Sequence, residues 1–344
     1  MVGKFQIRTD LALEARESCE AEDAKIRGVR VQEDHDEERE IFITTIMVES
    51  ENGARAIGKP VGTYMTLETP HMSVPDEDYH REISEKLANC LKQMIRIDER
   101  EGHSDNQKQR KKDLKHEGDK AEAGKKTVLV VGLGNRQITP DALGPEVVDN
   151  LHITRHILKE YGRMAENMGI SNAISVSAIV PGVMAQTGME TLEIIKGVVK
   201  ETAPELVIVI DALAARSTKR LNRTIQITDT GINPGSGVGN HRNAINKDTL
   251  GVPVIAIGVP TVVDAATIVN DTMEELVTQM DASEHMQRLG GTLGTMNRAE
   301  KQQMIRELIS PHLNTMFVTP KDIDETVKYL SYTISEALNM VLSE

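Results

Sequence analysis

Residues 127–145, TVLVVGLGNRQITPDALGP, narrow the fold more than any other stretch of the chain. Residues 128–131 form a short apolar, β-branched run that ends in the turn Gly132-Leu133-Gly134-Asn135. Such a run, bounded by glycines, is the mark of a strand buried on both faces inside a parallel sheet. A loop then delivers Asp141 where a helical pattern begins. In open α/β sheets, chemistry gathers at the carboxyl edge of the strands. The design recurs at residues 206–210, with Asp211 at the end of the run. If the two strands are neighbours, the two carboxyl groups meet.

The rest of the pattern supports a layered α/β chain. Strands are expected over 29–32, 41–48 and 63–67, then an amphipathic helix over 75–97 carrying Ile83, Leu87, Leu91 and Met94. Residues 101–126 are almost wholly polar and read as a surface insertion or linker. Beyond the first core strand, a helix is expected over 141–161 with Leu143, Val147, Leu151 and Leu158 inward. A strand over 174–180 follows, broken by Pro181-Gly182, then a helix over 189–202 that Pro204 ends. Strands over 225–228 and 252–257 flank a glycine-rich loop, 230–246, and a helix over 261–280 follows. An apolar stripe at 304–309 precedes Thr319-Pro320, an N-cap with proline at the first helical position. Ile323, Val327, Leu330, Ile334 and Leu338 then keep one face apolar. The alternation gives a doubly wound, mostly parallel sheet flanked by helices, with an N-terminal α+β extension.

Composition closes several alternatives. Aromatic residues are 2% of the chain, so Val, Ile, Leu, Ala and Met must fill the core. A net charge of −13 argues against a nucleic-acid surface, and the basic KQRKK within 101–126 is interspersed with acids as a solvated linker would be. Cys19 and Cys90 are too few for a disulfide framework and fit a reducing compartment. Residues 1–16 lack an apolar signal core and no run of 18 apolar residues exists, so a soluble, cytoplasmic protein without a membrane span is expected.

Each acid has a structural reading when taken singly. Asp141 would sit in a first helical turn, where the macrodipole favours a carboxylate, and Asp211 would cap a helix over 212–216. Taken together they suggest a pair sharing one proton, in which the ionised member takes a proton from water and the protonated one polarises a carbonyl. Which is base and which is acid stays open, with the helix start favouring charge on Asp141. Two other readings compete: a metal site of Asp141, Asp211 and His241, and a nucleotide-binding regulator built on the glycine turns. The first lacks an HExxH or cysteine motif. The second lacks the third glycine of the dinucleotide fingerprint, whose place is held by Gln137, and the loop 231–240 lacks the GK[ST] ending of a phosphate loop. Ser236 has no GxSxG setting for a nucleophile.

The motifs VVGLGN, TPDALGP, SAIVPGVMAQTG, IDALAARS, GINPGSGVGN and GVPVIAIGVPTVVDA, with RTDLALEA near the start and FVTPKDID near the end, resemble the spore germination protease family of spore-forming bacteria. The resemblance implies an atypical aspartic endopeptidase that degrades small acid-soluble spore proteins during germination. It also implies a self-processing zymogen, a homotetramer, a place in the cytoplasm of the developing and dormant spore, and no cofactor, metal, nucleic-acid or membrane partner. The family's catalytic aspartates fall on Asp141 of TPDALGP and Asp211 of IDALAARS. Its substrates are cut after an acid in a Thr/Ser-Glu-Ile/Phe-Ala-x-Glu context, which Thr9-Asp10-Leu11-Ala12-Leu13-Glu14 resembles. The processing bond implied is Asp10–Leu11. The domains implied are a propeptide over 1–10, a strand and helix region over 11–100, the insertion over 101–126 and a catalytic core over 127–344. The GLGN-to-Asp arrangement is also similar, at fold level, to hydrogenase-maturation endopeptidases. Against the family pattern, 101–126 is long and polar and the stretch between 280 and 304 is short.

Overall fold

The structure is a computed structural model that describes residues 10–17, 26–100, 126–167, 174–235, 242–281 and 316–343. The polar stretch 101–125, the stripe at 304–309, Cys19, Ser236 and His241 lie outside the described residues. The strands are β1 (Val29–Asp36), β2 (Ile41–Val48), β3 (Gly62–Glu68), β4 (Thr127–Gly132), β5 (Ser175–Ile179), β6 (Leu206–Ala215), β7 (Thr224–Thr228), β8 (Val254–Asp264) and β9 (Phe317–Val318). The helices are α1 (Ala12–Glu17), α2 (Glu51–Ile57), α3 (Glu77–Arg100), α4 (Leu143–Asp149), α5 (Arg155–Asn167), α6 (Met184–Thr187), α7 (Thr191–Thr202), α8 (Lys247–Leu250), α9 (Ala265–Asp281) and α10 (Ile323–Leu342).

All of the strands join one sheet in the order β1-β2-β3-β7-β8-β6-β4-β5, with β9 paired to β8. The strands β8, β6, β4 and the edge strand β5 are parallel. Antiparallel β7 couples them to the β1-β2-β3 meander, so the N-terminal extension continues the sheet instead of forming a separate layer. Successive residues of the inner strands face opposite ways. Val128, Val130, Ile208, Ile210, Ile255 and Ile257 pack into a core with α3, α4 and α10. Leu129, Val131, Val207, Val209 and Val254 pack on the other face with α7. Helices therefore cover both faces, and the chain is α/β and doubly wound. On the α7 face, further along the sheet, Ala12 and Leu13 of α1 pack on Ile46, Val48 and Tyr64.

The long helix α3 of the N-terminal region and the last helix, α10, are bound together. His80 of α3 stacks on Tyr329 of α10 with ring centroids 5.3 Å apart, and its Nδ1 lies 2.8 Å from Thr333 Oγ1. Burial pushes the His80 imidazole below its ordinary value. Cys90, also on α3, is buried and its thiol is pushed up to about 11, which leaves it inert. Among the described residues no helix is long and apolar enough to cross a membrane.

Four expectations need correction. The helix over 141–161 is a 3-10 turn (Thr139–Asp141), then α4, a break, and α5. The break has backbone partners waiting: Asn339 of α10 accepts from the His152 N–H at 2.9 Å, and the Thr154 N–H reaches the Val176 carbonyl at 3.2 Å. Asp211 neither ends its strand nor caps a helix over 212–216, because β6 runs on to Ala215. Ala212-Leu213-Ala214-Ala215 has helical propensity, but pairing with β8, across a bulge between Leu213 and Ala214, overrides it. Residues 261–264 likewise belong to β8, so α9 begins at Ala265. Finally α10 starts at Ile323 after Asp322, and Thr319 uses its hydroxyl to donate to the Thr261 carbonyl at 2.9 Å.

Candidate active site

The chain leaves β4 for β5 on one side and returns through α7 to β6 on the other. The carboxyl ends of β4 and β6 therefore part, and the gap between them is the topological switch point of the sheet. The ladder between them ends at Gly132↔Ile210, extended by the Leu133 N–H to the Ile210 carbonyl at 2.8 Å. Asp211 is the next residue of β6. By strand alternation it shares the face of Val207 and Val209, towards α7.

Asp141 is folded back over the same gap. Gly134 has φ +111, and a Cβ there would stand 1.9 Å from the Asp141 carbonyl oxygen and 3.1 Å from its Oδ1. Only glycine allows that turn and that approach. The Asn135 N–H then bonds the Asp141 carbonyl at 3.0 Å. Thr261 of β8 donates to the Pro140 carbonyl at 2.6 Å, which fixes the turn to the sheet. The glycine turn seen in the sequence thus serves to bring the Asp141 loop onto the strand ends.

The two carboxyls are in unlike surroundings. Asp211 is 6% exposed, and its carboxyl lies well above the usual range. Burial is the main cause, and the charges of Asp141 and Asp10 add to it, against one N–H from Ala212 at 3.0 Å. Asp141 is pushed up to about 6 by burial, with the Asn135 N–H and the Arg242 charge pulling the other way. Both carboxyls are raised, Asp141 to about 6 and Asp211 well above the usual range with the Asp141 charge adding to burial, so Asp211 favours its protonated form the more strongly. Arg242, whose Nη1 is buried and has no hydrogen-bond partner among the described residues, supplies a positive field that the sequence did not single out.

The Asp10–Leu11 peptide is on the same side of the sheet. Asp211, Gly258, Gln226 and Thr66 pair in one row across β6, β8, β7 and β3, so Gln226 shares a face with Asp211. Gln226 Oε1 accepts from the Ala12 N–H at 2.6 Å, and its Nε2 donates to the Asp10 carbonyl at 3.2 Å. Lys59 Nζ donates to that carbonyl at 2.8 Å, and the Ala214 N–H bonds Asp10 Oδ2 at 3.3 Å. Downstream, the Glu14 carboxylate accepts from the N–H groups of Arg216 at 2.9 Å and Ser217 at 3.0 Å, and lies 3.8 Å from Arg220. Leu11 and Ala12 have no exposed surface and Glu14 has 2%. A cavity of about 110 Å³ adjoins Asp10, lined among others by Lys59, Tyr64, Gln226 and Gly258.

Of the residues singled out from the sequence, the structure brings Asp141 and Asp10 each within electrostatic reach of Asp211, and it buries Leu11 next to Asp10. His241 is outside the described residues, and among those described no three His, Cys, Asp or Glu side chains gather as a metal site requires. Sequence reasoning missed Lys59, Gln226, Arg220 and Arg242. Only Arg242 had a signal, its place in the glycine-rich loop.

A family model described as Germination protease matches residues 7–283 and 275–344. This chain belongs to the germination protease family. It is 45% identical to the germination protease of Caldanaerobacter subterraneus subsp. tengcongensis over 99% of this chain and 96% of that one. With the germination protease of Clostridium tetani it shares 42% over 98% and 96%. With that of Bacillus subtilis it shares 38% over 100% and 95%. Family membership makes the chain a peptidase. Among solved structures, the [NiFe] hydrogenase maturation protease HycI of Thermococcus kodakarensis KOD1 matches 42% of this chain and 79% of its own at 20% identity and a TM-score of 0.25. The fold described above stands on strand order and register alone.

Proposed function

We propose that this germination protease family member is an atypical aspartic endopeptidase made as a zymogen, which cuts its own Asp10–Leu11 bond and then small acid-soluble spore proteins. The observation that carries the reading is the pair of unlike carboxyls at the switch point, with the Asp10–Leu11 peptide seated on the face where Asp211 points. The Asp141 carboxylate takes a proton from a water molecule as the water oxygen adds to the Asp10 carbonyl carbon. Asp211 gives its proton to the Leu11 nitrogen, the C–N bond breaks, and the chain is left with a new carboxyl at Asp10 and a new amine at Leu11. Residues 10–17 then stand in for substrate, and their groove is the one a second peptide enters once residues 1–10 are released and residues 11–17 move aside. The spore-protein substrate, the homotetramer and action in the spore cytoplasm rest on the family alone.

Asp141→Asn and Asp211→Asn should each abolish self-cleavage, read as the appearance of a Leu11 N-terminus by mass spectrometry, and digestion of a purified small acid-soluble spore protein. Full activity in either variant overturns the proposal. Activity that survives exhaustive chelation supports it, whereas activity lost on chelation and restored by a divalent metal overturns the aspartic mechanism. Sedimentation tests the tetramer.

A further inference from the structure

Two hydrogen-bond donors from separate elements converge on one oxygen of the chain's own backbone. Lys59, in the connection between α2 and β3, and Gln226, in β7, both donate to the carbonyl of Asp10, at 2.8 and 3.2 Å. We propose that Lys59 and Gln226 form the oxyanion site for the bond that is cut, receiving the carbonyl oxygen of the residue before the cut as it becomes tetrahedral and negatively charged. The inference rests on the reading that Asp10–Leu11 is the processing bond.

The Gln226 amide cannot be turned around. Its Oε1 accepts from the Ala12 N–H at 2.6 Å, and that N–H can only donate, so Nε2 must face the Asp10 carbonyl. Gln226 thereby spans the bond, holding the carbonyl on one side and the N–H of the second residue beyond it on the other. These are main-chain contacts, so any peptide lying in the groove can make them whatever its side chains.

Lys59 adds charge where charge will develop. Lys59 is partly buried, and burial works against protonation of its ammonium while the Asp10 and Glu14 carboxylates work for it. A desolvated cation is a poor choice for merely tying down a loop, since a neutral donor would do so without the desolvation cost. It is a strong choice for an oxygen that turns negative during the reaction, because donors already in place stabilise the transition state more than the ground state. The Asp10 side chain is held independently, by the Ala214 N–H at 3.3 Å. In the balanced step, water adds to the carbonyl carbon, its proton goes to Asp141, and the former π electrons rest on the oxygen between Lys59 and Gln226. They return as the bond to the Leu11 nitrogen breaks and Asp211 protonates it.

The test uses the full chain and follows first-order self-cleavage by mass spectrometry, beside hydrogen exchange at the amides of residues 12–14. Loss of one oxyanion donor costs about 10²–10³ in rate. Lys59→Met and Gln226→Glu, the latter keeping the acceptor for the Ala12 N–H, should each slow the cut by about that factor with exchange protection unchanged. Lys59→Arg should recover part of the rate. Wild-type rates in both variants overturn the proposal, as does slow cleavage matched by loss of exchange protection, which would make the two side chains simple clamps. If the unaltered chain never yields a Leu11 N-terminus, the reading of the processing bond itself fails.

Discussion

Asp211 and Glu14 are both buried carboxyls, 6% and 2% exposed, yet they are set in opposite surroundings. Glu14 receives two backbone N–H groups from the turn after β6 and has the Arg220 guanidinium beside it. Asp211 receives one N–H from its own neighbour and faces the negative charges of Asp141 and Asp10. Burial alone therefore says little about a carboxyl. What matters is whether the protein supplies donors for its charged form. At Glu14 it does, and the side chain anchors α1. At Asp211 it supplies a single N–H against two negative neighbours, and the carboxyl favours its protonated form.

The contrast breaks most sharply by substitution. Asp211→Asn replaces a protonated carboxyl by a neutral amide of the same shape, so self-cleavage should fall by ~10³ or more while the melting temperature holds or rises. Glu14→Gln should do the reverse. Two backbone N–H groups lose a charged acceptor, which costs on the order of 1–3 kcal/mol of α1 docking, seen as faster hydrogen exchange across Ala12–Glu17. Cleavage should slow only in proportion to the undocked fraction. A Glu14→Gln chain with undisturbed exchange, or an Asp211→Asn chain that unfolds, would show that the two environments do not differ as described.

The sequence disclosed these two regions unequally. The β4 run and its glycines announced a buried strand and a close turn, and both are there, because apolar periodicity and the need for a positive φ at Gly134 are local properties. The place of Asp211 inside β6 was not legible, since Ala212-Leu213-Ala214-Ala215 has the local propensity of a helix and only the partner strand β8 makes it extended. Lys59 and Gln226 gave no sign at all. They meet because β3 pairs with β7 and so carries the N-terminal residues onto the sheet. That pairing is decided by the whole fold, and a lone lysine after a glycine cap or a glutamine in a five-residue strand has no local mark of it.

The proton on the acid pair gives a smaller, graded test. Asp141 has a carboxyl raised from 3.8 to about 6, so the native state binds its proton more tightly than the unfolded chain does. Stability from this group is greatest below the unfolded value and falls as pH rises from about 4 through about 6. The fall is of order 1–3 kcal/mol once partial exposure is allowed for, and Asp141→Asn should flatten it in denaturant titrations run across that window. Self-cleavage should move the other way, rising through about pH 6 as Asp141 becomes the base. A rate that is flat across this range, in a chain whose stability does change, would remove Asp141 from the role of base while leaving its burial intact.

The smallest effect falls where the two regions touch. Asp10 is held through the Ala214 N–H at 3.3 Å, and its charge helps to keep the proton on Asp211. Asp10→Asn keeps an acceptor for that N–H but removes the charge. The descending limb of the rate profile, which reports loss of the Asp211 proton, should then shift to lower pH by a fraction of a unit, with the ascending limb unmoved. On the proposed processing, the same shift should separate the processed enzyme from the zymogen, because a cut at Asp10–Leu11 would free the segment that carries Asp10. If the limb of Asp10→Asn stays where it was, the Asp10 charge does not reach the acid. If cleavage is lost altogether, the side chain is read as part of the substrate, and the coupling between the anchored segment and the reactive pair is one of recognition and not of charge.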